Sequence, residues 1–159
     1  MKKIRLAVIG TGLAWERLHW PAISELKEHY EIAALCNRTK SDAERFAAAI
    51  GLDHSNVYDD YAAMLQRDDI DAVDVLVPIE ENFEAAAAVI RAGKNLIAEK
   101  PLAGTMEGAK ELLEIHSKSP VLFMVAENYR YNDENHIIKV PFWMQRCTIW
   151  QPFVIFSGR

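Results

Sequence analysis

Glu99-Lys100-Pro101 places a carboxylate, an amine and a rigid proline in a row, directly after the short apolar run Asn95–Ala98. That order carries a specific chemistry. A lysine ammonium held by an adjacent carboxylate can orient a hydroxyl or carbonyl and share its proton during hydride transfer. The proline fixes the backbone that presents them. The carboxyl ends of parallel strands are where open α/β sheets meet their ligands, so Lys100 and Glu99 are the expected catalytic pair. The plain alternative is a solvated lysine in a loop.

A second group of residues has the types and spacing to hold phosphate. The run Ile4–Ile9 passes into Gly10-Thr11-Gly12-Leu13. Gly10 permits a tight strand-to-helix turn, and Gly12 lets the backbone approach a pyrophosphate at the start of a helix. The third small position of such a turn is Trp15, a departure, since that place normally lets helix and strand pack closely. A bulky ring there also raises the reading that no nucleotide binds at all. Twenty-five residues after Gly12 come Asn37 and Arg38. An Asp or Glu would accept from a ribose 2′-hydroxyl; a neutral amide and a guanidinium suit a 2′-phosphate, so NADP is favoured over NAD. The alternative for Arg38 is a solvated loop residue.

These groups need a scaffold, and the periodicity supplies one. Apolar runs at Ile4–Ile9, 31–36, 72–77, Asn95–Ala98 and 120–126 lack in-out alternation, as strands buried on both faces do. Segments with helical spacing lie between them at 14–30, 41–50, 61–67, 82–92 and 105–117. Ser41 and Glu44 have capping-box spacing, Asn82 is a plausible N-cap, and Gly93 can close its helix in the left-handed conformation. The alternation predicts an α/β fold, a doubly wound parallel sheet of the NAD(P)-binding Rossmann type.

Composition excludes other classes. The 159 residues are 50% hydrophobic and 26% charged with a net charge of −5. This suits a packed core and not a nucleic-acid surface. No stretch of 18 apolar residues is present to span a membrane. Cys36 and Cys147 form neither a disulfide framework nor a metal-ligand spacing, so no metal site is expected, and both are expected to stay reduced in a cytoplasmic protein.

Taken in order, several motifs resemble one family. They are the glycine turn, His19-x-Pro21-Ala22 in the first helix, Leu76-Val77-Pro78 with Asn82 four residues on, Ala92-Gly93-Lys94-Asn95 leading to Glu99-Lys100-Pro101-Leu102-Ala103, and Asn128-Tyr129-Arg130-Tyr131. Together they resemble the Gfo/Idh/MocA oxidoreductases over residues 3–139. The resemblance implies NAD(P)-dependent oxidation at an alcohol carbon of a sugar, polyol or cyclitol. It implies Lys100 in the active site, and Gly10, Thr11, Gly12, Leu13, Asn37 and Arg38 around the pyrophosphate and adenosine. Pro78, Asn82, Glu99 and Asn128 are then expected along the rest of the dinucleotide. His19 reads as a packing or capping residue.

The chain is expected to divide into a dinucleotide-binding domain, 1–126, and a truncated start of a substrate and oligomerisation domain, 127–159. The family's second domain supplies an Asp and a His to work beside the lysine; His116 and His136 stand in no matching context. Weak or absent turnover is expected on that ground, and a non-catalytic nucleotide-binding or oligomerisation remnant is the second reading. The apolar tail, with Phe142, Trp143, Trp150 and the strand-like 151–157, has nothing after it to pair with. It is expected to associate with a second copy or to fold back over the sheet.

Overall fold

A computed structural model describes residues 2–127 and the backbone of Val154–Ser157. Its strands are β1 (Ile4–Ile9), β2 (Tyr30–Cys36), β3 (Val57–Tyr58), β4 (Ala72–Val75), β5 (Asn95–Ala98), β6 (Leu122–Val125) and β7 (Val154–Ser157). They form one sheet in the order β3-β2-β1-β4-β5-β6-β7. The first six are parallel, and β7 runs antiparallel to β6. The order reverses between β1 and β4, which puts a topological switch point beside the glycine turn. The doubly wound α/β fold is as the sequence predicts.

The helices are α1 (Trp20–Glu25), α2 (Lys40–Ile50), α3 (Tyr61–Leu65), α4 (Ile79–Arg91) and α5 (Met106–Ser117). A π-helical turn, Trp15–His19, runs directly into α1. Two layers of core result. One joins the sheet to α3, α4 and α5 through residues such as Met64, Ala86, Val89, Leu112 and Phe123. Small alanines on α4 let that helix lie close to the strands. The other layer joins it to α1 and α2 through Val8, Trp15, Leu35, Ala43 and Ala47.

Local end signals explain most boundaries. Asp60 accepts the Ala62 amide at 2.8 Å and Thr105 Oγ1 accepts the Gly108 amide at 3.1 Å, capping α3 and α5. Gly93 is left-handed, with φ 71°, just past α4. Two expected caps differ. α2 begins at Lys40 after Thr39, so Ser41 lies inside the helix and forms no capping box. α4 begins after Pro78, three residues before Asn82, which is buried inside the helix with another task. The two-residue strand β3 and the 3-10 turn His54–Asn56 before it are too short to leave a periodic signal.

The strand 154–157 returns to the sheet of its own chain, at its edge rather than over its face. It pairs back onto β6, Val125 facing Val154 and Leu122 facing Ser157, and extends the sheet of its own chain. The aromatic residues of 142–150 lie outside the described residues.

Candidate functional site

The turn after β1 is built around two glycines with different duties. Gly10 has φ 97°, its amide donates to the Cys36 carbonyl at 2.8 Å, and a Cβ on it would overlap the Leu76 carbonyl oxygen. Only glycine fits there. Gly12 is exposed, and a Cβ on it would meet nothing within 4 Å. The space above Gly12 is therefore open to a ligand. Thr11 between them is buried, and its Oγ1 has no partner among the described residues. An open glycine beside an unpartnered hydroxyl at the switch point fits the pyrophosphate of a dinucleotide. Leu13 is exposed at the start of the helical segment.

Trp15 does not obstruct this opening. Its ring is wholly buried, 5.9 Å from Trp20 and 5.7 Å from Phe46, over Ala43 and Ala47 of α2. The small residues on α2 and the wide π turn accommodate the ring that a third glycine would avoid. The Trp20 amide reaches back five residues to the Trp15 carbonyl. Pro21, which has no amide hydrogen to donate, follows that wider turn directly.

Asn37 and Arg38 stand at the end of β2, as the spacing predicts. The Asn37 amide donates to the Tyr58 carbonyl at 3.1 Å, and its side chain donates to the Thr39 carbonyl at 3.2 Å. Arg38 is exposed and pairs with Glu81 of α4 at 2.8 Å. Such an exposed pair is worth at most about 1 kcal/mol, so a phosphate can displace Glu81 from the guanidinium.

Glu99, Lys100 and Pro101 follow β5, and the Lys100–Pro101 peptide bond is cis. Asn82 secures this turn from α4. Its side-chain amide donates to the Glu99 carbonyl at 2.9 Å and to the Pro101 carbonyl at 2.6 Å. That is where the sequence-predicted cofactor residue Asn82 is placed: it holds the turn that carries Lys100. Glu99 Oε2 accepts the Lys100 amide at 3.1 Å and lies 3.4 Å from the Lys100 ammonium.

The other Glu99 oxygen, Oε1, lies 3.0 Å from Nε2 of His19, whose Nδ1 lies 2.7 Å from Asp74 Oδ2. Sequence reasoning passed over this bridge. Asp74 sits within β4 with no exposed surface, and its second oxygen has no partner among the described residues. Burial works against charge on all three groups. The bonds to Asp74 and Glu99 outweigh it at His19, whose pKa is pushed up to about 9. Burial pushes the Asp74 carboxyl up despite His19. Glu99 is partly buried, but His19 and the Lys100 amide hold it below the usual carboxylate range. One signal was available: an acid inside the all-apolar run 72–77 requires a buried partner, and a histidine on the neighbouring helix supplies one. The three side chains form the polar end of a cavity of about 190 Å³ with apolar walls that include Leu18, Leu26 and Met124.

Of the remaining expected residues, Pro78 is exposed at the start of α4, and Asn128 lies outside the described residues. His116 is buried, its Nε2 2.9 Å from the Val121 carbonyl. Cys36 is buried with its thiol pushed up to about 12 by burial and by Asp60 and Asp59, which keeps it unreactive. Among the described residues no cluster of His, Cys, Asp and Glu is placed to hold a metal ion, and no helix is long and apolar enough to cross a membrane.

The sheet order, the glycine turn and the lysine at the switch-point edge define a dinucleotide-binding type of domain. The model of the GFO/IDH/MocA oxidoreductase family, NAD-binding Rossmann fold, matches residues 4–127, and the chain belongs to that family. It is 31% identical over 131 residues to the uncharacterized protein YMR315W of Saccharomyces cerevisiae, covering 82% of this chain and 38% of that protein. An oxidoreductase from Thermotoga maritima superposes with a TM-score of 0.76 at 37% identity, over 82% of this chain and 40% of the other. The 3-ketoreductase KijD10 from Actinomadura kijaniata, in complex with TDP-benzene and NADP, superposes with a TM-score of 0.76 at 30% identity, over 86% and 42%. The chain thus spans about two-fifths of the length of the relatives it matches.

Proposed function

We propose that this chain is the dinucleotide-binding part of an NAD(P)-dependent oxidoreductase acting on a sugar-like alcohol or ketone. The observation that carries this reading is the meeting, at one edge of the sheet, of an open glycine turn with the Glu99–Lys100 pair. The nicotinamide, when bound, supplies the hydride acceptor or donor. The protein's own residues do the rest. The Gly10–Leu13 turn receives the pyrophosphate, with Thr11 Oγ1 as a hydroxyl in need of a partner. Asn37 and Arg38 meet the adenosine ribose, and Pro78 and Glu99 flank the nicotinamide side. Lys100 orients the substrate oxygen and shares its proton, with Glu99 steadying the ammonium.

Arg38 favours NADP, because a guanidinium recognises a 2′-phosphate through charge-assisted bonds. The bound NADP of the Actinomadura 3-ketoreductase supports that preference. Calorimetric titration of NADP and NAD into the purified chain tests it. NADP is expected to bind more tightly, and Arg38→Ala to weaken NADP by about tenfold, the scale of one charged hydrogen bond, with NAD little changed. Glu81→Gln, which frees Arg38, is expected to strengthen NADP by at most about fivefold. Failure of both dinucleotides to bind overturns the reading.

A further inference from the structure

We propose that His19 is a positioning residue for Lys100, acting through Glu99. The inference rests on the oxidoreductase reading for the task of Lys100, and on geometry for the coupling itself. Glu99 divides its two oxygens: Oε1 faces His19 Nε2 at 3.0 Å, and Oε2 takes the Lys100 amide at 3.1 Å and faces its ammonium at 3.4 Å. His19 is itself anchored, because its Nδ1 lies 2.7 Å from the fully buried Asp74. A neutral imidazole can donate from one nitrogen only, so both contacts are hydrogen bonds when both nitrogens carry hydrogen. A doubly protonated ring therefore fixes the rotation of the Glu99 carboxylate, and that rotation sets where Oε2 holds Lys100. When the proton lost is that on Nε2, with Nδ1–H kept on the buried Asp74, a lone pair faces Glu99 Oε1 and the clamp opens.

Among the described residues, the groups around the ring are few. Asp74 faces it from β4 and Glu99 from the end of β5; Tyr30, at the start of β2, lines the same cavity, and β6 contributes only Met124 and the following Ala126. The turn carrying Lys100 is held independently from α4 by Asn82. A change at His19 thus alters the Lys100 side chain with its backbone anchor still in place.

Nuclear magnetic resonance on the chain as it stands tests this without turnover. The imidazole nitrogens of His19 report its protonation, and the ε-methylene resonances of Lys100, assigned with Lys100→Arg, report its surroundings. In the wild type the Lys100 signals are expected to show a step over the same pH range in which His19 loses its proton. In His19→Gln that step is expected to vanish. Lys94, whose ammonium contacts the Arg67 carbonyl at the opposite edge of the sheet, serves as the control and is expected to show no such step. If His19→Gln does not fold, Glu99→Gln takes its place, and Lys100 is then expected to stop following His19. Lys100 titration curves that superpose with and without His19 or Glu99 overturn the inference, as does a matching step at Lys94. Absence of dinucleotide binding breaks the oxidoreductase reading and leaves this coupling measurable.

Discussion

The two edges of the sheet use similar residues to opposite ends. At the amino edge, Arg5 pairs with Glu31 at 2.9 Å and with Asp69 at 2.7 Å, and Arg67 reaches Asp69 at 2.8 Å and Asn56 at 2.7 Å. Asp71 accepts the Arg5 amide, and Asn95 bonds both the Asp71 carbonyl and the Leu122 amide. Those charges lie at the surface and satisfy one another. At the carboxyl edge Arg38 and Glu81 form an exposed pair, but several other polar groups are buried and incompletely matched. The unpartnered buried side-chain atoms among the described residues belong to Thr11, Trp15, Asp74 and Asn82, all in or beside the glycine turn, the His19 bridge or the lysine turn. Surface ion pairs that complete one another stabilise a fold modestly. Buried groups with spare bonding capacity cost stability and are kept where a ligand or a reaction uses them. The amino edge fastens strands, and the carboxyl edge carries the buried polar atoms left without a partner among the described residues.

Substitutions can break this contrast. The largest effect is expected from His19→Ala, which leaves Asp74 buried without its cation. Loss of one partner from a buried pair costs about 3–5 kcal/mol, read from urea unfolding at pH 7. A cost below about 1 kcal/mol would sink the idea of a buried charged bridge. Gly10→Ala follows at about 3 kcal/mol, from a positive φ and the overlap with the Leu76 carbonyl. Gly12→Ala sharpens the comparison. Stability is expected to change by less than about 0.5 kcal/mol, while dinucleotide binding falls, because the new methyl occupies the open side of the turn. Equal losses of stability at both glycines would remove the distinction between a structural and a ligand-facing residue.

The edges should also separate by pH. His19 has a folded pKa raised from 6.5 to about 9. Its contribution is fully present below 6.5 and is lost as the pH climbs through about 9. The stability gap between wild type and His19→Gln should therefore close over that window. Asp69 behaves in the reverse sense. Arg67, then Arg5, hold its carboxyl well below the usual range, so its contribution is present above the ordinary carboxylate pKa of 3.8 and fades as the solution is acidified. The smallest effect is expected from Asp69→Asn, at most about 1 kcal/mol and less in high salt, because Asp69 is half-exposed. Dinucleotide affinity should not respond to it.

Much of the candidate site could be read from residue order, and particular elements show why. The glycine turn, Asn37-Arg38 and Glu99-Lys100-Pro101 are local signals, each at the end of an apolar run, and a parallel sheet delivers such ends to one edge. β3, with two residues, carried too little pattern to be found. Asn82 reads as a helix start because asparagine favours N-cap positions, but α4 begins at Ile79 after Pro78, and the contacts of Asn82 with the lysine turn cross 17 and 19 positions of sequence. The strand 154–157 has its partner, β6, far upstream in the sequence, beyond the reach of local pattern.

What the sequence determined by itself was the alternation of buried strands with helices, the two glycines and the lysine turn, because each depends on neighbours a few residues apart. What only the tertiary structure decided was the company those residues keep. His19 lies 55 residues from Asp74 and 80 from Glu99, and no periodicity links them. The tertiary fold brings one imidazole between two carboxylates, so that a residue that reads as packing bonds the carboxylate beside Lys100.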